Sequence, residues 1–305
     1  IPDKVPFCKE CRGKLYMESS SDLLNRFENC PVSKIIRSRA FLREVNLPNL
    51  ENKEQIVTRV NIDGKMLSTS YSSPFNNLSD KIFICHICFS YFDEKISLDR
   101  HKLKCLIFKK ENGTFCDKNL VYKENLLKIF EIDGEEDTIL CRNLCLLAKC
   151  FLDHKTLYHD VEPFLFYILY ENDKFVGYFS REKHSAKFNL SCIVVLPTFQ
   201  GKGYGYFLID FSYKIFQIFG KKGTPEKPLS DQGLAVYKKY WKFKVYQYLE
   251  NRYEDISIQN ISKTLGMTNS DVLFALETLD FVKKRGNDIK LCISNRLIVE
   301  FLTCD

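Results

Sequence analysis

Between Leu190 and Tyr206 the chain reads LSCIVVLPTFQGKGYGY. An apolar run carrying one thiol, Cys192, meets Pro197 and then a loop with Gly201, Gly203 and Gly205. From Phe207 to Phe219 the apolar residues recur at helical spacing. A strand that ends in glycines and opens a helix calls for an α/β core. It also aims bare backbone N–H groups and the positive helix end at one point, which suits a pyrophosphate.

With 305 residues, 45% of them hydrophobic, the chain can bury a sizeable core and carry smaller flanking domains. Phe and Tyr number 25 and 16 against three Met, so that core is expected to be aromatic. A net charge of +6 is compatible with an anionic cofactor or a chromatin partner, but is too weak to imply nucleic-acid binding by itself. Thirteen irregularly spaced Cys do not fit a secreted disulfide scaffold and point to intracellular thiols with a metal site. The longest apolar runs, such as Pro163 to Tyr170, fall far short of a membrane span. No signal-peptide pattern is visible, and the sequence starts at Ile1 rather than Met, which leaves room for a preceding segment. A soluble intracellular protein without membrane contact is expected.

Four segments follow from the patterning. Residues 1–55 are mixed and carry no assignable role; Cys8, Cys11 and Cys30 read as unpaired structural cysteines rather than part of a metal site. Residues 56–110 open with alternating runs (VTRVNID, MLSTSYS, KIFICHICF) and turn signals at Asp63-Gly64 and Ser73-Pro74, a small β unit. Residues 111–225 form the central core, with a helix predicted over Cys141–Asp153 and strands over Pro163–Tyr170 and Phe175–Ser180, joined as a hairpin by Glu171 to Lys174. In residues 226–305, Ile256 to Leu279 reads as helix, turn at Gly266, then helix with Asn269 or Ser270 as N-cap. Lys283 to Ile293 reads as a hairpin around Gly286-Asn287, a winged-helix-like ending.

Cys85-x2-Cys88-x12-His101-x3-Cys105 is a second strong signal. A Cys-x2-Cys knuckle followed by His and Cys one helical turn apart closes a tetrahedral zinc shell, and Phe92 and Leu98 fall where a small ββα finger needs its core. All four positions are filled by protein, so the site is structural rather than catalytic. The finger helix carries Arg100, Lys102 and Lys104, yet an isolated finger does not specify DNA, and direct DNA binding stays open at this point.

The glycine loop is not the dinucleotide fingerprint, since Tyr206 stands where its third glycine belongs, and it lacks the G-K-[ST] of a P-loop. What remains is Gln200-x-x-Gly203-x-Gly205, a pattern that acyl-CoA-binding N-acetyltransferases place between a strand and a helix. Around it, in order, lie Cys141-Arg-Asn-Leu-Cys-Leu-Leu-Ala148, Leu152-Asp-His-Lys-Thr-Leu-Tyr158, Asp160-Val-Glu-Pro-Phe-Leu-Phe166, Cys192-Ile-Val-Val-Leu-Pro197 and Gly223-Thr-Pro-Glu-Lys-Pro-Leu-Ser-Asp231. With the zinc finger, these segments resemble the MYST family of histone (lysine) acetyltransferases from roughly Val57 to Leu302.

The resemblance implies an α/β, GNAT-like acetyl-CoA-binding core, flanked by the C2HC finger with its β unit and by the winged-helix-like segment. It implies transfer of acetyl from acetyl-CoA to a lysine ε-amine, on a histone tail or nucleosome, by a nuclear protein working in a multisubunit chromatin complex. Glu226 matches the family's general base, and burial among apolar neighbours is expected to raise its pKa toward the working pH. Cys192 matches the active-site cysteine, which either accepts the acetyl group covalently or lines a site of direct attack; we favour the ternary-complex route.

For the cofactor, the backbone of Ile193, Val194 and Val195 is carried over to the pantetheine arm. Gln200, Gly201, Lys202, Gly203, Tyr204, Gly205 and Tyr206 are carried over to the pyrophosphate, and Ser230 to a further contact. Gly201 replaces the family's usual Arg, Tyr206 replaces a basic residue, and Lys239 stands where Ser is common; Lys202 and Lys239 are expected to compensate. Lys155 matches the autoacetylated position. The alternative reading is a chromatin- or DNA-binding scaffold of acetyltransferase-like fold with little activity, against which the retention of Cys192 and Glu226 argues.

Overall fold

The computed structural model describes residues 56–75, 77, 79–105, 119–153, 155–156, 158–250, 256–285 and 288–291. Cys8, Cys11, Cys30, His154 and the Gly286-Asn287 turn lie outside the described residues. The chain divides into two compact units, Ile1–His184 with Cys192–Lys202, and Ser185–Ser191 with Gly203–Asp305.

The first unit holds two sheets. β1 (Arg59–Ile62) and β2 (Lys65–Ser68) form a hairpin around Asp63-Gly64, both at positive φ, the two-residue turn whose twist suits a hairpin. β3 (Lys81–Ile84) runs parallel to β1, and β4 (Tyr91–Phe92) closes the order β2-β1-β3-β4. α1 (Lys95–Lys104) follows, with Leu98 buried as the finger core requires and Phe92 only half-buried.

The second sheet is antiparallel, in the order β10-β8-β7-β6-β5. Its strands are β5 (Leu120–Glu124), β6 (Leu127–Asp133), β7 (Phe164–Glu171), β8 (Lys174–Glu182) and β10 (Cys192–Val195). The expected hairpin is present: Asn172 and Asp173, both at positive φ, turn β7 into β8. Asn and Asp accept that conformation because their short side chains bond locally. Edge strand β10 approaches β8 so closely that a Cβ on Gly177 would lie 2.3 Å from Val194 O, so only glycine fits there.

α2 (Thr138–Lys149) starts a turn earlier than predicted and stops before Asp153. Its stripe of Leu140, Cys141, Leu144, Cys145, Leu147 and Ala148 is buried, the 3.6-residue period of a core-facing helix. The end is set by the segment after β2. Ser70 and Tyr71 donate backbone N–H bonds to Cys150 O (2.9 and 3.0 Å), and the Ser73 hydroxyl donates to Leu146 O at 2.7 Å. Those carbonyls would otherwise be orphaned at the helix terminus.

The second unit is mainly helical. α3 (Tyr204–Ile218) and α4 (Asp231–Glu250) pack through aromatic side chains, as the composition predicted: Tyr213 stacks on Tyr240 at 5.2 Å, and Trp241 Nε1 donates to Tyr213 Oη at 2.8 Å. β9 (Phe188–Leu190) pairs in parallel with β11 (Thr224–Pro225). The single strand expected from Leu190 onward is therefore two. Leu190 closes β9 with its carbonyl on Glu226 N–H (2.8 Å), Cys192 begins β10, and Ser191 belongs to neither.

α5 (Ile258–Leu265) and α6 (Asn269–Thr278) form the expected helix–turn–helix with Gly266 at φ 66°. The N-cap of α6 is Thr268 rather than Asn269 or Ser270. Thr268 is extended, its hydroxyl accepts from Asp271 N–H at 3.3 Å and donates to the Asp271 carboxylate at 2.8 Å, a capping box whose T-x-x-D signature is in the sequence. β12 (Val282–Arg285) and β13 (Asp288–Leu291) make the predicted terminal hairpin.

One ion pair in this unit is buried. Asp210 on α3 meets Lys244 Nζ of α4 at 2.8 Å and accepts from Tyr240 Oη at 3.0 Å, with side chains only 2% and 11% exposed for Asp210 and Lys244. Removing one partner of such a pair strands the other charge in a poorly solvated place, which costs about 3 kcal/mol or more. Lys244→Met, which keeps the apolar stem, is therefore expected to lower the urea unfolding midpoint by a corresponding amount. An unchanged midpoint would show that the pair contributes nothing net.

Candidate active site and metal centre

Cys85, Cys88, His101 and Cys105 come together as the spacing predicts, their ligand atoms all within 4.8 Å of one another. Cys85 and Cys88 flank the β3–β4 turn, which is closed by Cys85 N–H to Ser90 O and Phe89 N–H to Cys85 O. His101 and Cys105 are one turn apart at the end of α1, and His101 Nε2 lies 3.2 Å from Cys88 Sγ. Three sulfurs and one imidazole nitrogen are a donor set that fits tetrahedral zinc with no position left for substrate. Ser90 Oγ stands 3.3 Å from Cys88 Sγ as an outer partner.

His86 sits between two ligands in sequence but is not one of them. Its Nδ1 meets the Asp63 carboxylate at 2.8 Å, and the other Asp63 oxygen accepts Phe175 N–H from β8 at 3.3 Å. Tyr170 of β7 donates its hydroxyl to His86 O at 2.6 Å, and Phe89 packs edge-on against Phe175. The metal knuckle is thus fastened to the five-stranded sheet, consistent with a structural metal.

Cys192, first residue of β10, pairs with Ser180, and Val194 pairs with Tyr178. The two-residue period puts Cys192 and Tyr178 on one face of the sheet, with Tyr178 Oη 3.9 Å from Cys192 Sγ. Lys155 Nζ lies 3.7 Å from the same sulfur. Cys145 of α2 interacts with both Lys155 and Tyr178. Burial pushes the Cys145 thiol and the Tyr178 hydroxyl up. Burial pulls the Lys155 ammonium down, but the Cys192 and Cys145 sulfurs outweigh it, and its pKa ends above the ordinary lysine value. Lys155 is therefore a half-buried cation against the thiol, not a solvated loop lysine. Tyr178 and Cys145 were not singled out by sequence reasoning.

After β10 a 3-10 turn, Pro197–Phe199, leads into the glycine loop. The Gln200 side chain folds back to donate to Val195 O at 3.0 Å. Gly201 and Gly203 take φ of 74° and 87°, conformations that side-chain-bearing residues rarely adopt. Gly203 caps α3 with no side-chain bond, and its carbonyl accepts Phe207 N–H at 2.9 Å, the bond that opens the helix. The first-turn amides precede that bond and point out of the helix end, which is how helix termini hold phosphate. β10, as an edge strand, keeps one side of the Ile193–Val195 backbone outside the ladder, which fits an extended amide-bearing chain such as pantetheine. The Tyr206 ring goes elsewhere, packing edge-on against Tyr240 at 5.1 Å.

In the second unit Glu226 follows β11, fixed by its backbone bond to Leu190 O, with its side chain exposed. The burial among apolar neighbours expected for Glu226 is not found, because the buried stretch Gly223, Thr224 and Pro225 ends just before it. Ser230 Oγ accepts Gly233 N–H at 3.1 Å at the start of α4, and Lys239 is exposed on that helix. Among the described residues no helix is long and apolar enough to cross a membrane.

The sequence pattern of the MOZ/SAS family matches residues 116–304, and that of the MYST family zinc finger domain matches residues 55–105. Histone acetyltransferase SAS3 of Saccharomyces cerevisiae is 38% identical over 90% of this chain and 36% of its own length. Histone acetyltransferase mst2 of Schizosaccharomyces pombe is 46% identical over 70% of this chain and 53% of its own length. Human histone acetyltransferase KAT6A is 43% identical over 77% of this chain and 12% of its own length. The chain thus spans less than two thirds of each of these relatives.

Proposed function

The chain belongs to the MOZ/SAS family, with the MYST zinc finger ahead of its acetyltransferase domain, and from that premise we propose that it is a nuclear histone lysine acetyltransferase. The observation that carries the reading is the path from β10 through the 3-10 turn and two positive-φ glycines into α3, an acyl-CoA cradle in backbone form.

Bound acetyl-CoA supplies the acetyl group as a thioester, whose C–S bond breaks as the C–N bond to the lysine forms. A substrate lysine, with pKa about 10.4, reaches the site as an ammonium and cannot attack until it is deprotonated. Glu226 takes that proton. The first-turn amides of α3, together with Gln200 and Lys202, hold the pyrophosphate, and the β10 backbone aligns the pantetheine arm. Cys192 lines the acetyl position and is supportive rather than the obligatory acceptor, the ternary-complex route. Ser230 and Lys239 supply further contacts to the cofactor. Histone tails are the substrate class, and a multisubunit chromatin complex supplies targeting.

The test is turnover of acetyl-CoA on separate tail peptides from each core histone. Transfer to a lysine of at least one tail is expected, and no transfer by folded, zinc-loaded protein that binds acetyl-CoA would sink the reading. Lys155, in contact with Cys192, is the proposed site of self-modification. Intact mass after incubation with acetyl-CoA is expected to rise by one acetyl group, and the rise should vanish in Lys155→Arg.

A further inference from the structure

Phe199 ends the 3-10 turn immediately before Gln200, Gly201 and Lys202, and its ring is almost wholly buried. Lys202 Nζ lies 5.4 Å from the ring centroid. A second cation reaches the same ring from far away in sequence: Lys65, first residue of β2, has its Nζ 5.5 Å from the centroid. Lys65 also lines a shallow recess with Lys174, Thr198 and Phe199. The ammonium groups of Lys65 and Lys202 therefore lie against one ring where the loop leaves the sheet, and the exposed Lys174 lines the recess beside it. None makes an ion pair with a carboxylate among the described residues. Asp63, the acidic residue of the recess, is already engaged by His86 Nδ1 and Phe175 N–H.

Like charges held together repel unless an anion joins them, so such a cluster raises the local concentration of phosphate. In the loop between Phe199 and Lys202, Gly201 has no side chain, and a Cβ built there would meet nothing within 4 Å. The space in which the resembling family has an arginine is open here. We infer that Lys65 and Lys174, residues of the zinc-finger hairpin and of β8, supply the missing positive charge and bind a phosphate of acetyl-CoA beside Lys202. This rests on the acetyl-CoA reading above. It assigns cofactor binding to residues outside the glycine-loop motif, and makes the β1–β2 hairpin part of the cofactor site.

The experiment is calorimetric binding of acetyl-CoA to the whole chain, with no turnover required. The double variant Lys65→Ala/Lys174→Ala removes two exposed side chains, and its folding is checked by thermal unfolding. Its Kd is expected to rise about tenfold at low salt, the scale of two partly screened lysine–phosphate contacts, and the difference should shrink at high salt. Lys65→Arg/Lys174→Arg should keep most of the affinity. Lys95→Ala/Lys263→Ala, which removes the same charge elsewhere, should leave Kd unchanged. Repeating the titration with 3′-dephospho-acetyl-CoA tells the two phosphate sources apart: if the variant no longer loses affinity the contact is to the 3′-phosphate, and if it still does the contact is to the pyrophosphate. An unchanged Kd at low salt in Lys65→Ala/Lys174→Ala, or an equal loss in the control pair, overturns the inference while acetyl-CoA binding by the unaltered chain stands. Failure of the unaltered chain to bind acetyl-CoA overturns both.

Discussion

Glu226→Gln is expected to lower acetyl transfer to a histone-tail peptide by roughly a hundredfold or more, the usual scale for loss of a general base. The substitution keeps size and hydrogen bonding but cannot accept the lysine proton. Acetyl-CoA affinity should be unchanged, because the bond that holds this residue in place is its backbone N–H to Leu190 O, which glutamine retains. The loss should therefore fall on kcat and not on cofactor Kd. Cys192→Ser is the informative contrast. On the ternary-complex route it keeps appreciable turnover at saturating acetyl-CoA, whereas a kinetically competent acetyl adduct on Cys192 would reverse the assignment. If Glu226→Gln retains full kcat, the proton acceptor is another group.

Removing the metal is expected to have the largest structural effect. Cys88→Ser, or treatment with a strong chelator, should release about one zinc per chain, as the single Cys3His cluster among the described residues demands. Structural zinc in small fingers contributes on the order of 10 kcal/mol or more of folding free energy, so Tm should fall by about 10 °C or more. His86→Asn is the discriminating control. His86 lies between two ligands in sequence, but its ring nitrogen is on Asp63 rather than in the cluster. Its zinc content should stay at the level of the unaltered chain. Equal zinc loss in His86→Asn would show that the ligand set has been misidentified.

The zinc site was readable because all four ligands lie within 21 residues, with Cys85 and Cys88 paired by one turn and His101 and Cys105 by one helical step. The glycine loop was readable for a similar reason, since strand, turn and helix follow directly in the chain. The terminal helix–turn–helix and hairpin were also carried by local signals, although the N-cap was placed one or two residues late because the Thr268–Asp271 capping box went unread. What stayed hidden depends on register. Tyr178 comes beside Cys192 only because Val194 pairs with Tyr178 across two strands, a choice that neither strand's composition fixes. The break at Ser191 is equally non-local, since it depends on β11, more than thirty residues later, taking up β9. The exposure of Glu226 could not be read from an apolar-looking Gly-Thr-Pro context, because burial there belongs to the residues before it.

Asp63 has a wider consequence. One carboxylate in a tight turn holds the imidazole of the finger and a backbone amide of β8 together, and Tyr170 adds a third tie. A finger joined to its neighbour by a linker can fray and re-form on its own. This one shares its anchor with a strand at the heart of the sheet, so its opening and the loosening of that strand belong to a single sub-global unfolding event. In folding terms the finger is expected to behave as one edge of a larger foldon, so that metal loss loosens β8 along with the finger.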